Sequence, residues 1–300
     1  MDQSTKTGIF YGLTAYVWWA IAPIYFKAVS DIGALDILAH RVIWSCVIVV
    51  LLIAAMGKLS VLVNVLRSPK KLLALFVSTA LIAANWGTFI YAVNSDQMLS
   101  ASLGYYINPL VSIIIGMVFF QDKLDRPRKL AAALCVVAVV FEIVQFGRLP
   151  WITLVLAFSF GFYGLVRKKL AVDSFTGMAL ETGLMLPFAA LQLLWSTDPQ
   201  SNMFSNGMGL NILLFAAGPI TMVPLMLFAA AANRVSLVTL GFFQYIAPSG
   251  IFLLAVFVYG ETFTSDKLIT FGLIWSALLI LMLDSLRKLR KRPEVIAPTA

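Results

Sequence analysis

Tyr106-Ile107-Asn108-Pro109, closed by Asp122, and Tyr245-Ile246-Ala247-Pro248, closed by Glu261, are two copies of one stretch. Laid over each other they need no gap: Phe89 falls on Phe228, Asn94 on Asn233, Tyr106 on Tyr245, Pro109 on Pro248 and Asp122 on Glu261. Each copy is a long apolar run broken by Tyr-Ile-x-Pro and ended by a carboxylate. The copies lie about half the chain apart, so this is a two-fold duplication and not a solenoid.

Working outward, 61% of the 300 residues are hydrophobic, 12% are charged and the mean hydropathy is +0.92. A soluble domain averages about 45–50% apolar and about 25% charged residues. The excess implies that the bilayer is the solvent. A net charge of +8 does not point to nucleic acid, because the Lys and Arg residues sit in short connections between apolar runs, as orientation signals do. Cys46 and Cys135 lie inside such runs and read as buried thiols, with no disulfide framework. His40 is the sole histidine and cannot form a metal site alone, and no cofactor is expected.

Ten runs are long enough to cross the hydrocarbon as helices, at 8–29, 36–56, 72–94, 99–120, 129–146, 150–167, 174–195, 211–232, 236–259 and 267–286. The first reads as a retained helix and not a signal peptide. Its leader carries only Lys6 against Asp2, and Pro23 directly after Ala20-Ile21-Ala22 is a poor cleavage context. No room remains for a soluble domain. With the N-terminus inside, eighteen Lys and Arg fall on cytoplasmic segments and four elsewhere, namely Lys27, Arg41, Arg148 and Lys267. That bias predicts both termini in the cytoplasm. The basic tail, Arg287 to Arg292, is expected to lie on the anionic inner leaflet.

The duplication extends upstream, placing the first span on the sixth (Lys27 on Arg167) and the second on the seventh (Arg41 on Glu181). The expected organisation is an all-α integral membrane protein of ten transmembrane helices. Residues 1–147 form one five-helix repeat, and 148–300 form a second that carries the tail. An odd helix number per repeat inverts the second relative to the first, which permits packings open to either side around a site near the midplane.

Prolines in matching mid-span places, Pro109 and Pro248, are expected to bend their helices around a central cavity that Tyr106 and Tyr245 face. The alternative is a kink that serves packing alone, the reading given to Pro187, Pro219 and Pro224. Asn85-Trp86 and Tyr91 run along the third span, and Asn108 and Gln244 add hydrogen-bonding groups. A buried Asn in lipid is explained equally by interhelical bonding and by substrate contact. Trp18 and Trp19 sit mid-span, away from the interfacial belt. Ionisable groups within spans are functional candidates. His40 with Arg41 is expected on the outer side of the cavity and Glu181 on the inner side, unless local pairing occupies them. Each lies about 9–12 Å into its helix at a rise of 1.5 Å per residue. Glu142 lies near the outer end of its helix and reads as snorkelled. Asp122 and Glu261 read as caps on the helices that follow them.

Asn85-Trp86-Gly87-Thr88-Phe89-Ile90-Tyr91, Leu103-Gly104-Tyr105-Tyr106-Ile107-Asn108-Pro109-Leu110, Pro224-Leu225, Leu240-Gly241-Phe242-Phe243-Gln244-Tyr245-Ile246-Ala247-Pro248 and Tyr259-Gly260-Glu261 resemble the RarD family. That family lies in the EamA branch of the drug/metabolite transporter superfamily, and the likeness covers essentially the whole chain. The resemblance implies two inverted five-helix repeats in a bacterial inner membrane and a transporter linked by name to chloramphenicol sensitivity. Ala247 stands where the first copy has Asn108, so the halves need not bind symmetrically.

The reading is a secondary transporter, or permease, that moves a small amphipathic, aromatic-bearing or chloramphenicol-like solute by alternating access. Trp19, Asn85, Trp86, Tyr91, Tyr106, Asn108, Gln244 and Tyr245 line its cavity, with protons coupled through His40 or Glu181. A facilitator without coupling is the rival within transport. A membrane subunit that anchors a partner complex is the rival outside it. No hydrolase, metalloprotease or nucleotide-binding motif occurs, so an enzyme is not expected.

Overall fold

A computed structural model describes residues 3–120, 126–147, 149–170, 172–232, 234–235, 240 and 243–291. Its regular structure is helical: α1 (Gln3–Ala28), α2 (Ala34–Ala55), α3 (Leu59–Leu66), α4 (Pro69–Asn94), α5 (Met98–Phe120), α6 (Arg126–Phe146), α7 (Trp151–Leu170), α8 (Ser174–Trp195), α9 (Met208–Ala232), α10 (Ile246–Leu253) and α11 (Ser265–Lys291). A short 3-10 turn, Pro199–Ser201, precedes α9, and α10 runs on as a π-helix over Leu254–Val258. Among the described residues six helices are long and apolar enough to cross a membrane: α1, α2, α4, α8, α9 and the Ser265–Asp284 part of α11. Trp151–Arg167 and Ile246–Val258 are shorter apolar helices.

Helices apolar on every side are at home in lipid, where all backbone groups must bond within the segment. Phe10, Val17, Ile21 and Ile24 of α1 accordingly stay exposed, as lipid-facing side chains do. The connection between the second and third spans contains α3, which packs through Val65 against Leu75, Leu170 and Leu180. Asn233, Asp122, Arg148, Ser236 at the expected start of the ninth span, and the tail beyond Lys291 lie outside the described residues. Cys46 and Cys135 are free, buried thiols, as expected.

Two compact units form, each built from both halves of the sequence: Met1–Asn108 with Trp151–Thr262, and Pro109–Pro150 with Phe263–Ala300. In the first unit α2 packs on α8 and α9, α4 on α7, α1 on α9, and α10 on α1. Its core joins Val42, Val49 and Ile53 to Ile82, Trp86, Met185 and Met222. In the second unit α6 packs on α11. Glu142 does not snorkel. It is 9% exposed, lies within electrostatic reach of Lys267 on α11, and its Oε2 lacks a hydrogen-bond partner among the described residues.

Glu261 caps a helix, but not the one that follows it. Gly260 adopts φ +66, a left-handed turn that glycine makes without strain. The Glu261 carboxylate then accepts the N–H of Met98 at 2.6 Å and of Leu99 at 2.9 Å. Those are free donors at the positive end of α5. The cap ties the end of α10's π segment to the start of α5.

Candidate functional site

α2 enters the first unit with its N-terminal turn pinned to the end of α8 and to the α8–α9 connection. Asp36 accepts hydrogen bonds from Gln192 Nε2 at 2.8 Å and Ser196 Oγ at 2.6 Å. His40, 3% exposed, donates its Nε2–H to the Ser201 carbonyl at 2.8 Å. One residue further, a 100° rotation about the helix axis turns Arg41 toward α1, α4 and α9. His40 and Arg41 therefore do not share a site.

Arg41 is half-buried. Its Nε donates to Thr221 Oγ1 at 2.9 Å, and that hydroxyl donates in turn to the Ala217 carbonyl at 2.9 Å. The guanidinium carbon lies 4.0 Å from the centroid of the Trp86 ring and 5.7 Å from that of Phe26. Tyr25 and Tyr105 are within its electrostatic reach. Tyr105 donates its hydroxyl to Asn85 Oδ1 at 3.3 Å, and Tyr25 donates to the Leu213 carbonyl at 3.0 Å. The result is a cation on α2 flanked by aromatic rings and hydroxyls contributed by four other helices.

Glu181 holds a separate cluster. Only 1% exposed, it accepts Ser78 Oγ at 2.8 Å on one carboxylate oxygen and the Tyr163 hydroxyl at 3.1 Å on the other. Arg167 Nη1 stands 3.8 Å away, while its Nη2 donates to the carbonyls of Val172 at 3.4 Å and Asp173 at 3.2 Å. Arg167 lies across α8 where Gly177 offers no side chain; a Cβ there would collide with the guanidinium. Asp173 caps α8 by accepting Thr176 N–H at 3.0 Å. Burial acts to raise the Asp173 carboxyl. The bonds from Thr176 and Phe175, with the charge of Arg167, outweigh it and hold the group below the usual carboxylate range. Arg41 and Glu181, equivalent in the duplication, thus have different partners and do not pair.

Other expected site residues are dispersed. Asn85 is tied into the interhelical network, donating Nδ2–H to the Leu156 carbonyl at 3.1 Å and to Ser159 Oγ at 3.0 Å. Those bonds, with the one from Tyr105, fasten α4, α5 and α7 and leave the amide little for a ligand. Tyr106 does not face a cavity: its hydroxyl hydrogen-bonds Ser249 Oγ at 2.7 Å, and Ser102 on the same side of α5 donates to the Pro248 carbonyl at 2.9 Å. The two Tyr-Ile-x-Pro elements meet there as a seam. Pro248 is no mid-helix bend, because it occupies the first turn of α10, where a missing N–H costs little. Pro109 remains interior to α5. Tyr91 is 42% exposed against Trp151, on another face of α4. Trp19 packs on Tyr16 and Phe228, while Trp18 donates to the Ile220 carbonyl at 3.2 Å. Gln244 and Tyr245 are half-buried just before α10, and Asn108 Oδ1 is buried without a partner among the described residues.

Sequence reading does not single out Phe26, Thr221, Ser78 or Tyr163. Thr221 carries a faint signal, a lone hydroxyl between Pro219 and Pro224. Ser78 and Tyr163 carry none, since each is an ordinary residue of an apolar helix until Glu181 is placed beside it.

Comparison with known proteins fits this all-helical frame. Residues 6–143 match the model of the EamA-like transporter family. An uncharacterized transporter of Vibrio cholerae is 50% identical over 287 residues, covering 95% of each chain. Protein RarD of Escherichia coli K12 is 49% identical, covering 96% of this chain and 98% of its own. The chloramphenicol-sensitive protein RarD of Pseudomonas aeruginosa is 30% identical, covering 95% and 96%. A solved crystal structure, 17% identical, superposes on 94% of this chain and 99% of its own with a TM-score of 0.60, a likeness of fold alone. The chain is a multi-pass membrane protein and belongs to the EamA-like transporter family, among the RarD proteins.

Proposed function

We propose that the protein is a permease that moves a small amphipathic, aromatic-bearing solute across a bacterial inner membrane by alternating access, through the Arg41–Trp86–Tyr105 site. The observation that carries this reading is Arg41 itself, a half-buried cation set among aromatic rings within a helix bundle. An ionisable group at membrane depth is expensive and marks a solute path. In this reading ten helices form two inverted repeats with both termini in the cytoplasm. Two packings support that duplication: α1 lies on α9 and α7 lies on α4, and exchanging the sequence halves turns one pair into the other. Lys27 and Arg167, equivalent in the repeat, also each face a carboxylate, Asp96 at 2.5 Å and Glu181 at 3.8 Å.

The test is thermal unfolding of the full-length protein in nanodiscs against amino acids, nucleosides, aromatic metabolites and chloramphenicol. Selective binding raises the melting temperature with concentration. At least one class should do so, and Trp86→Ala should abolish the shift. No shift, and no flux into proteoliposomes, would return the anchoring-subunit reading.

Coupling is assigned in this proposal to Glu181. His40 is committed to the Ser201 carbonyl, whereas Glu181 is held, among the described residues, only by the side chains of Ser78, Tyr163 and Arg167. Uptake by Glu181→Gln should lose its dependence on an imposed pH gradient. Retention of the wild-type pH profile eliminates the assignment.

A further inference from the structure

Arg41 differs from the cations that bracket it. Lys27 faces Asp96 and Arg167 faces Glu181, but among the described residues no carboxylate forms a salt bridge with Arg41. A guanidinium carries five N–H donors. Here Nε–H alone has a protein acceptor, Thr221 Oγ1, so the Nη groups remain unbonded among the described residues. They are not sealed in packing either, because the residue retains partial accessibility. Trp86 lies 4.0 Å and Phe26 5.7 Å from the guanidinium carbon, and the Nη–H groups at the edge of the fork have no acceptor among the described residues. A planar fork with free Nη–H pairs and a stacked face matches a carboxylate or phosphate in two-pronged geometry. In a low-dielectric surrounding, a cation without an internal counter-ion favours an external one.

We infer that Arg41 anchors the anionic group of the transported solute. The substrate class is thus organic acids with an aromatic or apolar body, Trp86 and Phe26 being buried beside the guanidinium that binds the acid group. This rests on the small-solute transport reading and deepens it. Thr221 acts as a positioning residue, fixing the guanidinium through Nε so that the Nη edge faces the solute. Tyr105 and Tyr25 border the same space with hydroxyls already donated, to Asn85 and Leu213. Their free lone pairs suit a donor on the solute, not a second anion.

The experiment measures equilibrium binding to the full-length protein in nanodiscs with matched probes that differ in charge. The sets are phenylacetate, phenylacetamide and phenethylamine; indole-3-acetate, its amide and tryptamine; and phenyl phosphate against phenol. In at least one set the acid should bind about tenfold or more tightly than its neutral and cationic partners, a difference of about 1.4 kcal/mol. Arg41→Gln should erase that preference, and Arg41→Lys, which keeps charge but loses the fork, should fall between. Acids that bind no better than their amides in every set overturn the inference, as does an acid preference unchanged in Arg41→Gln. The wild-type comparison decides the matter even where Arg41→Gln fails to fold. Trp86-dependent binding of neutral or cationic solutes alone would refute the anion assignment and leave the transport reading standing. Binding of no solute in either panel overturns both.

Discussion

Arg167→Met is expected to destabilise the protein by about 3 kcal/mol, at the lower end of the range for breaking a buried ion pair. The reason lies in what remains. Glu181 is 1% exposed and cannot turn to water, so removal of the guanidinium at 3.8 Å leaves it with two neutral donors, Ser78 and Tyr163. The Val172 and Asp173 carbonyls lose their side-chain donor as well. The lower end applies because Arg167 keeps 15% side-chain exposure and its Nη1 has no hydrogen-bond partner among the described residues. The measurement is equilibrium unfolding in detergent by denaturant titration. Arg167→Met combined with Glu181→Gln should be more stable than Arg167→Met alone, because the neutral amide accepts from one of the two hydroxyls through its oxygen and donates to the other through its nitrogen, without burying a charge. Equal unfolding midpoints for wild type and Arg167→Met would show that the pair does not hold this end of the unit together.

Gly218→Ala is expected to cost about 1–3 kcal/mol, the usual range for overpacking, and to depress solute binding at the same time. A Cβ at Gly218 would stand 2.8 Å from Ile48 Cδ1, 2.8 Å from Trp44 Cβ and 2.9 Å from the Trp44 carbonyl carbon. The Ile48 tip can rotate away. The Trp44 atoms belong to α2 itself and move only if α2 and α9 separate. Thr221 lies one turn beyond Gly218 and Arg41 one turn before Trp44. Separation therefore stretches the 2.9 Å bond that orients the guanidinium. The control is Gly183→Ala, where nothing lies within 4 Å of the added carbon. There the gain in helix propensity, about 1 kcal/mol, should appear without a change in binding. Wild-type stability and binding in Gly218→Ala would mean that α2 and α9 are not packed through this contact.

The sequence by itself determined that the chain lives in a membrane, where most of its long helices lie and which charged residues stand inside them. Each of those properties is local. Twenty apolar residues partition into lipid whatever they touch, so the expected 174–195 coincides with α8, and Arg41 and Glu181 stand out against apolar neighbours. The repeated Tyr-Ile-x-Pro stretch was legible for the same reason, since it needs only residue identity at a fixed spacing.

Only the tertiary structure decided which side chains meet. A helix apolar on all sides carries no periodic stripe to set its rotation, and in lipid the hydrophobic effect does not choose one face over another. Rotation is set by close approach and by hydrogen-bond partners far away in sequence. Arg41 finds Thr221 180 residues on, and Tyr106 finds Ser249 143 residues on. The same cause explains each difference from expectation. Tyr106 and Pro248 read as cavity elements from their repetition, but packing of α5 against α10 turned them into a seam. Asn85 was open to two readings until Leu156, Ser159 and Tyr105 closed around it. Glu261 sits just ahead of α11, yet the left-handed turn at Gly260 delivers it to the free N–H groups of α5, because a helix end attracts a carboxylate by proximity in space and not in sequence.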